Sequence, residues 1–326
     1  MKRRHALCAT IAIVVATLHS PGSTAQSSSK ATVIGLLDAG ERLEWWEAFR
    51  QQLRELGYVE GRNVTFEQRY AKGNLDALPG LAKELVQRKV AVIVTGGAAA
   101  AVAAERATRT IPIVMASGTD QVSLGLAANL SRPGGNVTGL ASINSDLMAK
   151  RFELLREIAP KMSRLAVLWH ADNAPSMASV RDLEASAAKS RVGFQSFGIR
   201  SAEDLADVFS AMAKDRFDGL IVVNSPFIYA ERTRLVDLAL KYKVPTMYGA
   251  AEYAEAGGLV SYAPSYSKMF RQAAIYVDKI LKGANPSDMP IEQPTTIELV
   301  INANAARSIG VAIPASMLAR ANRVIQ

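Results

Sequence analysis

Apolar positions along the chain follow two alternating periods. Short β-branched runs, such as residues 33–37, predict buried strands. Each run is followed by apolar residues at helical spacing, as with Trp46, Phe49 and Leu53, and these predict helices. The alternation repeats from Thr32 onward, which is typical of βαβ units and of a parallel sheet.

Two successive series of these units predict two doubly wound lobes. The first series has strands at 33–37, 64–69, 90–94, 111–115 and 137–140, with helices near 78–88, 98–106 and 123–130. The second has a helix at 146–158 and strands at 165–169, 193–199, 219–223 and 245–248. The last third predicts only a strand at 258–262, a helix at 266–281 and a strand at 297–301, and we expect these elements to cross between the lobes.

The N-terminus indicates the compartment. Lys2, Arg3 and Arg4 precede an apolar run at 6–18 and small residues that end at Ala25, which is the pattern of a secretory signal peptide cleaved after Ala25. The run of about 13 apolar residues is shorter than the roughly 20 that a spanning helix needs. Cys8 lies near the start of the run, where it predicts no lipid anchor. We therefore expect a mature periplasmic protein.

Composition excludes several classes of function. The formal net charge is +8, and three of the basic residues lie in the predicted signal peptide. The other lysines and arginines are scattered among acidic residues, so no nucleic-acid partner is indicated. The only cysteine and all histidines except His170 also lie in the signal. We therefore expect no disulfide, no transition-metal site and no cofactor.

Signature motifs of common enzymes are absent from the sequence. The first strand is followed by Asp38 and a single glycine rather than G-x-G-x-x-G, and the run TGGAAA at 95–100 lacks the Lys-Ser/Thr of a P-loop. No G-x-S-x-G occurs, and His170 has no evident nucleophile in its sequence context. We therefore predict a protein that is not an enzyme.

The predicted ligand site lies beyond the carboxyl ends of the strands. Ligands of open α/β sheets bind there, where helix N-termini present amide donors. The candidate ligand-binding residues are Asp38, Trp45, Thr95, Gly96, Gly97, Ser117, Asp120, Asn173, Asn224, Tyr248 and Glu252. His170 and Trp169, at the end of another strand, are weaker candidates.

Each candidate also has a structural alternative. Gly96 and Gly97 either present amides to a carboxylate or only form a tight turn. Asp120 either pairs with an ammonium group or caps the next helix.

Trp45 lies off the apolar stripe that places Trp46 in the core, so it either stacks on a ligand or makes a plain surface or interlobe contact. Glu252 either pairs with an ammonium or is a solvated first-turn acid. The remaining polar candidates could cap their own helices or turns.

Five motifs in order resemble a known family. They are FRQQLRELGYVEGRN at 49–63, TIPIV at 110–114, RPGGNVTGL at 132–140, EAGGLVSY at 255–262 and EQPTTIELVIN at 292–302. Together they resemble the tryptophan/tyrosine-type substrate-binding proteins of ABC transporters over the whole mature chain. The family often has a proline-containing turn where this chain has Gly96 and Gly97, and it usually has a proline after the acid at Asp120.

The resemblance implies a type I periplasmic binding protein fold with a three-crossover hinge. It places the N-terminal lobe at 31–142 plus 265–292 and the C-terminal lobe at 143–264 plus 293–326. It implies a monomer that binds a small amino-acid-like or carboxylate ligand and delivers it to an ABC transporter permease. The same fold could instead serve a soluble sensor that presents its ligand to a membrane receptor.

Overall fold

The computed structural model describes residues 31–119, 121–143 and 146–326, which contain two sheets with helices on both faces. The first sheet consists of β1 (Thr32–Asp38), β2 (Val64–Tyr70), β3 (Val92–Thr95), β4 (Ile113–Gly118) and β5 (Val137–Ala141). All pairs are parallel, in the order β2-β1-β3-β4-β5. The associated helices are α1 (Leu43–Glu55), α2 (Leu78–Gln87) and α3 (Ala98–Ala107).

The second sheet has the order β12-β11-β10-β9-β8-β6-β7. Its strands are β6 (Arg164–His170), β7 (Gly193–Ile199), β8 (Gly219–Val222), β9 (Thr246–Tyr248), β10 (Val260–Pro264), β11 (Ile297–Asn302) and β12 (Arg323–Ile325), and only the β10–β11 pair is antiparallel. The remaining helices are α4 (Met148–Ile158), α5 (Ala174–Lys189), α6 (Asp204–Lys214), α7 (Pro226–Ala230), α8 (Arg232–Lys241), α9 (Ala251–Glu255), α10 (Tyr266–Leu281), α11 (Ala303–Ile309) and α12 (Ala315–Arg320).

The chain passes three times between the lobes. It leaves the first sheet after β5 and returns after β10, because α10 packs on α1 and on β3, β4 and β5. Glu292 then extends the edge of the first sheet, where its amide donates to the Gly139 carbonyl at 2.9 Å, and the next strand, β11, joins the second sheet. The predicted α/β fold with two parallel-sheet lobes and a three-crossover connection is therefore confirmed. The residue limits of the two lobes stay a prediction, because residues 31–326 form one compact unit.

One predicted helix is wrong. Residues 123–130, expected to be helical, form turns between β4 and β5. Gly125 has a φ of +72°, and the Ala128 amide donates to the Pro133 carbonyl instead of to a carbonyl one turn earlier. Leu126 and Ala127 are nevertheless buried in the core of the first lobe. Their apolar spacing therefore reflects the anchoring of a loop and not a helix face.

One continuous core joins the lobes. The cluster contains Ile34 and Trp46 of the first lobe, Leu220 of the second, and Trp45 and Tyr229. Trp46 is fully buried, as predicted from its position on the apolar stripe. Within the described part of the chain, no helix is long and apolar enough to cross a membrane. The predicted signal peptide at 1–25 lies outside the described residues.

Candidate functional site

A cavity of about 420 Å³ lies where the carboxyl ends of strands from both sheets face each other. This volume is within the range of small-molecule sites. Its wall includes Ala39, Arg42, Gly97, Ser117 and Thr119 of the first lobe, His170, Asn173, Asn224, Ser225, Phe227 and Tyr229 of the second, and Tyr266 at the start of α10. The strand-end prediction therefore located the cavity. No cluster of three or more potential metal ligands occurs among the residues that the structure describes.

The first turn of α3 forms one side of the cavity. Gly97 is the N-cap residue in an extended conformation, with φ −174° and ψ 178°, and no side chain of a described residue caps the helix. Ala98, Ala99 and Ala100 line the cavity together with Gly97. The first amides of a helix have no intrahelical acceptor and carry the positive end of the helix dipole. This side of the cavity is therefore suited to an anionic group.

A buried arginine stands beside this helix end. Arg42 is 6% exposed and lines the cavity. Its Nε donates to Asp38 Oδ2 at 3.1 Å and its Nη2 donates to Asp38 Oδ1. Its Nη1 has no hydrogen-bond partner among the described residues. One half of the guanidinium is thus fixed, while the other half remains able to bind a carboxylate.

Asp38 is fully buried and does not line the cavity. Besides Arg42, its carboxylate accepts hydrogen bonds from Trp46 Nε1 at 3.0 Å and from the Gly40 amide at 3.1 Å. These four donors occupy the carboxylate. Asp38 therefore orients Arg42, and the expected direct contact with a ligand has no support in this geometry.

The two glycines after β3 have different environments. A Cβ atom on Gly96 would overlap Asp38 Oδ2 and Arg42 Nη2, so only glycine leaves room for the buried ion pair. A Cβ atom on Gly97 would lie 3.5 Å from the Ser117 carbonyl oxygen and 3.9 Å from Arg42 Nη2, which are ordinary contacts. Gly96 thus accommodates the ion pair, and Gly97 lines the cavity. Thr95 is fully buried behind them, and its hydroxyl has no hydrogen-bond partner among the residues that the structure describes.

The second lobe contributes a polar and aromatic wall. The His170 ring lies 4.7 Å from the Phe227 ring at an interplanar angle of 31°, and burial lowers the pKa of His170. Asn173 Nδ2 donates to Ser176 Oγ at 2.7 Å, and Asn224 Oδ1 accepts from the Tyr253 hydroxyl at 3.1 Å. Asp172 also lines this wall, and its carboxylate pairs with Arg200 Nε at 3.1 Å, so the one acid on this side of the cavity that the structure describes has a cationic partner.

Two predicted ligand contacts instead join the lobes. Trp45 is fully buried, and its ring stacks on Tyr266 at 4.3 Å and contacts Tyr229 of the second lobe at 4.6 Å. Trp45 Nε1 donates to Glu252 Oε1 on α9. Burial raises the pKa of Glu252. Trp45 therefore makes an interlobe contact, one of the alternatives to ligand stacking, and Glu252 is a half-buried acceptor and not a fully solvated acid.

Four predicted residues thus line the cavity: Gly97, Ser117, Asn173 and Asn224. Tyr248 does not, because it is fully buried and stacks on Tyr253 at 4.8 Å. Trp169 is half-buried against the core of the second lobe. Asp120 lies outside the described residues.

Sequence reasoning missed Arg42, Phe227, Tyr229 and Tyr266. No local pattern pointed to Arg42, because it lies in the loop between β1 and α1, where four-residue spacing from Asp38 predicts no pairing.

Comparisons with known proteins agree with the fold. A model of the family described as ABC transporter substrate binding protein matches residues 30–325. A tyrosine-binding protein of Clostridioides difficile (strain R20291) is 25% identical over 263 residues, which cover 81% of this chain and 75% of that protein.

Two solved structures each cover 90% of this chain and 100% of their own. One is an ABC domain in complex with L-Trp from Streptococcus pneumoniae, with 26% identity and a TM-score of 0.82. The other is a conserved domain protein from Vibrio cholerae O1 biovar El Tor, with 29% identity and a TM-score of 0.82. The family resemblance seen in the sequence is therefore confirmed.

Proposed function

The chain belongs to the family of ABC transporter substrate-binding proteins, which bind solutes and are not enzymes, and we propose that it is the extracytoplasmic solute-binding component of an ABC importer. In this proposal the two lobes close over a small amino-acid-like or carboxylate ligand. The closed form then docks on a membrane permease.

One observation carries the ligand class. Arg42 stands beside the start of α3, since its Nη2 lies 3.9 Å from the Cβ position of Gly97, and Arg42, the first turn of α3 and the hydroxyl-bearing Ser117 line one cavity. A guanidinium and a helix N-terminus are both donors that favour carboxylates. The tyrosine-binding relative and the L-Trp complex support an amino-acid-like ligand, since amino acids carry this group.

Contacts between the lobes provide a way to couple binding to closure. Glu44 on α1 accepts from the Tyr229 hydroxyl and pairs with Arg232 of α8 at 3.2 Å. The next residue of α1, Trp45, donates its indole hydrogen bond to Glu252 of α9, so two neighbouring residues of α1 contact the second lobe. A ligand that touches both lobes favours the conformation in which these contacts form, which is a shift in population.

Calorimetric titration with a panel of amino acids and carboxylic acids tests the ligand class. The mature chain is first unfolded and refolded to remove any retained solute. We expect carboxylate-bearing compounds to bind and their neutral amides to bind at least tenfold more weakly, as loss of a charge-assisted hydrogen bond costs roughly 1.5–3 kcal/mol. Equal binding of acids and amides would overturn the proposal.

A variant pair tests the assigned residue. Arg42→Lys keeps a cation for Asp38 but removes the second arm of the guanidinium, and we expect about tenfold weaker binding. Arg54→Lys is the control, because Arg54 is half-exposed and, among the described residues, forms its ion pair with Glu47 on the surface of α1. Full affinity in Arg42→Lys would remove this residue from the site.

Secretion and transport need experiments in cells. N-terminal sequencing of the exported protein should begin at Gln26 if the signal is cleaved as proposed. Deletion of the gene should abolish uptake of the ligand found by calorimetry. Unchanged uptake in the deletion strain would refute the importer role, and crosslinking to a permease would be the direct support for the partner.

A further inference from the structure

The ligand cavity continues beyond the strand ends along one face of α3. Ala99, Val102, Ala103 and Arg106 line it, at the i, i+3, i+4 and i+7 positions of a single helical stripe. The opposite side of this extension is formed by Leu75, Leu78 and Pro79, which precede or begin α2. The cavity therefore has an apolar arm that starts at the proposed carboxylate site.

The arm changes chemistry along its length. Between the first turn of α3 and Arg106, its lining side chains are alanine, valine, leucine and proline. Leu78 and Ala103 are buried, and Val102 and Leu75 are half-buried. Apolar atoms of a ligand would be removed from water here, at a gain of roughly 25 cal/mol per Å².

Arg106 is at the outer end of the arm. It is exposed, and its guanidinium has no ion pair or hydrogen bond with any described residue. The neighbouring acid of the helix, Glu105, pairs with Arg109 instead. A free cation thus terminates an apolar arm whose inner end holds Arg42.

The helix sets the distance between the two cationic ends. Arg106 lies eight residues after Ala98, which corresponds to about 12 Å along α3 at 1.5 Å per residue. A free α-amino acid that places its carboxylate at the first turn of α3 is too short to reach Arg106.

We propose that the ligand is an elongated carboxylate whose apolar body lies along α3 and whose second anionic group reaches Arg106. The inference rests on the proposed function, since it places the first carboxylate at Arg42 and the first turn of α3. It names a ligand class with anionic groups about 12 Å apart and an unbranched or flat apolar centre.

Calorimetric titration with three acids tests this ligand class on the mature chain. Decanedioate has two carboxylates and a long apolar centre, decanoate lacks the second carboxylate, and butanoate lacks both the second carboxylate and the length. We expect decanoate to bind more tightly than butanoate. Decanedioate should bind about fivefold more tightly than decanoate at low salt, which is the upper range for an exposed ion pair.

Two variants separate the charge from the apolar arm. Arg106→Gln should remove the advantage of decanedioate over decanoate, whereas the control Arg109→Gln should retain it. Val102→Phe should fill the arm and weaken both long acids while leaving butanoate unchanged. The advantage of decanedioate should also shrink with added salt, as screening weakens exposed charge pairs.

The outcomes distinguish this inference from the proposed function. Equal affinity for decanedioate and decanoate would overturn the proposal that a second anionic group of the ligand binds Arg106. An unchanged preference of Arg106→Gln for decanedioate over decanoate would overturn it as well. Binding of free amino acids without binding of either long acid overturns the elongated ligand and leaves the proposed function in place. Failure of every carboxylate to bind overturns both.

Discussion

The two glycines after β3 offer a sharp test of the site's architecture. We expect Gly96→Ala to destabilise the protein by about 3 kcal/mol, because the new methyl group overlaps both partners of the buried Asp38–Arg42 pair. Overpacking alone costs roughly 1–3 kcal/mol. Breaking a buried ion pair adds to this, since removal of one partner costs about 3–5 kcal/mol.

Gly97→Ala is the matched control one residue away. Its φ of −174° is available to any residue, and its new methyl group would make only ordinary contacts of 3.5 Å or longer. We expect its free energy of unfolding to stay within about 1 kcal/mol of the wild type, the usual scale of Gly-to-Ala exchange in a compatible conformation.

Urea unfolding followed by circular dichroism measures both variants. The Gly96→Ala penalty should fall toward zero in a background of Asp38→Ala and Arg42→Ala, because the atoms that obstruct the methyl group are then absent. A Gly96→Ala protein as stable as the wild type would refute the reasoning. An equal loss of stability in Gly97→Ala would also refute it, because the penalty would then come from the turn after β3 and not from the Asp38–Arg42 ion pair.

Three further predictions follow from buried polar groups. Burial raises the pKa of Glu252, so its contribution to the stability of the fold is complete at low pH and is lost as pH rises through the folded-state pKa. Glu252→Gln keeps the acceptor for Trp45. The stability of this variant relative to the wild type, measured by urea unfolding, should increase between pH 5 and 8. A constant difference would contradict this. Burial lowers the pKa of His170, so the midpoint of its NMR titration should lie below 6.5, the usual pKa of histidine, and its contribution to stability should be lost as pH falls. A midpoint at or above 6.5 would be inconsistent with this. Asn302→Ala should lower the free energy of unfolding by about 1–3 kcal/mol, because this buried side chain caps α11 and also donates to a carbonyl of α9. Asn304→Ala, at an exposed position, is the control. Equal stability of the two variants would exclude the capping role.

The architecture was predictable because its signals are local. β-branched runs and helical spacing identify strands and helices wherever neighbouring residues alone decide the burial pattern. The exception was the segment at 123–130, where Leu126 and Ala127 have helix-like spacing but anchor a loop with Gly125 at positive φ. Apolar spacing reports that residues are buried, and it does not by itself report the backbone that buries them.

The sequence alone determined the family, the two-lobe α/β fold and the strand ends at which the cavity lies. It did not determine which polar side chains line the cavity, because a buried polar group binds whichever partner lies closest in space. Asp38 is occupied by Arg42 and Trp46, while Trp45 pairs with Glu252, which is 207 residues away. Only the tertiary structure shows these pairings, and through them it replaces Asp38 with Arg42 at the wall of the site.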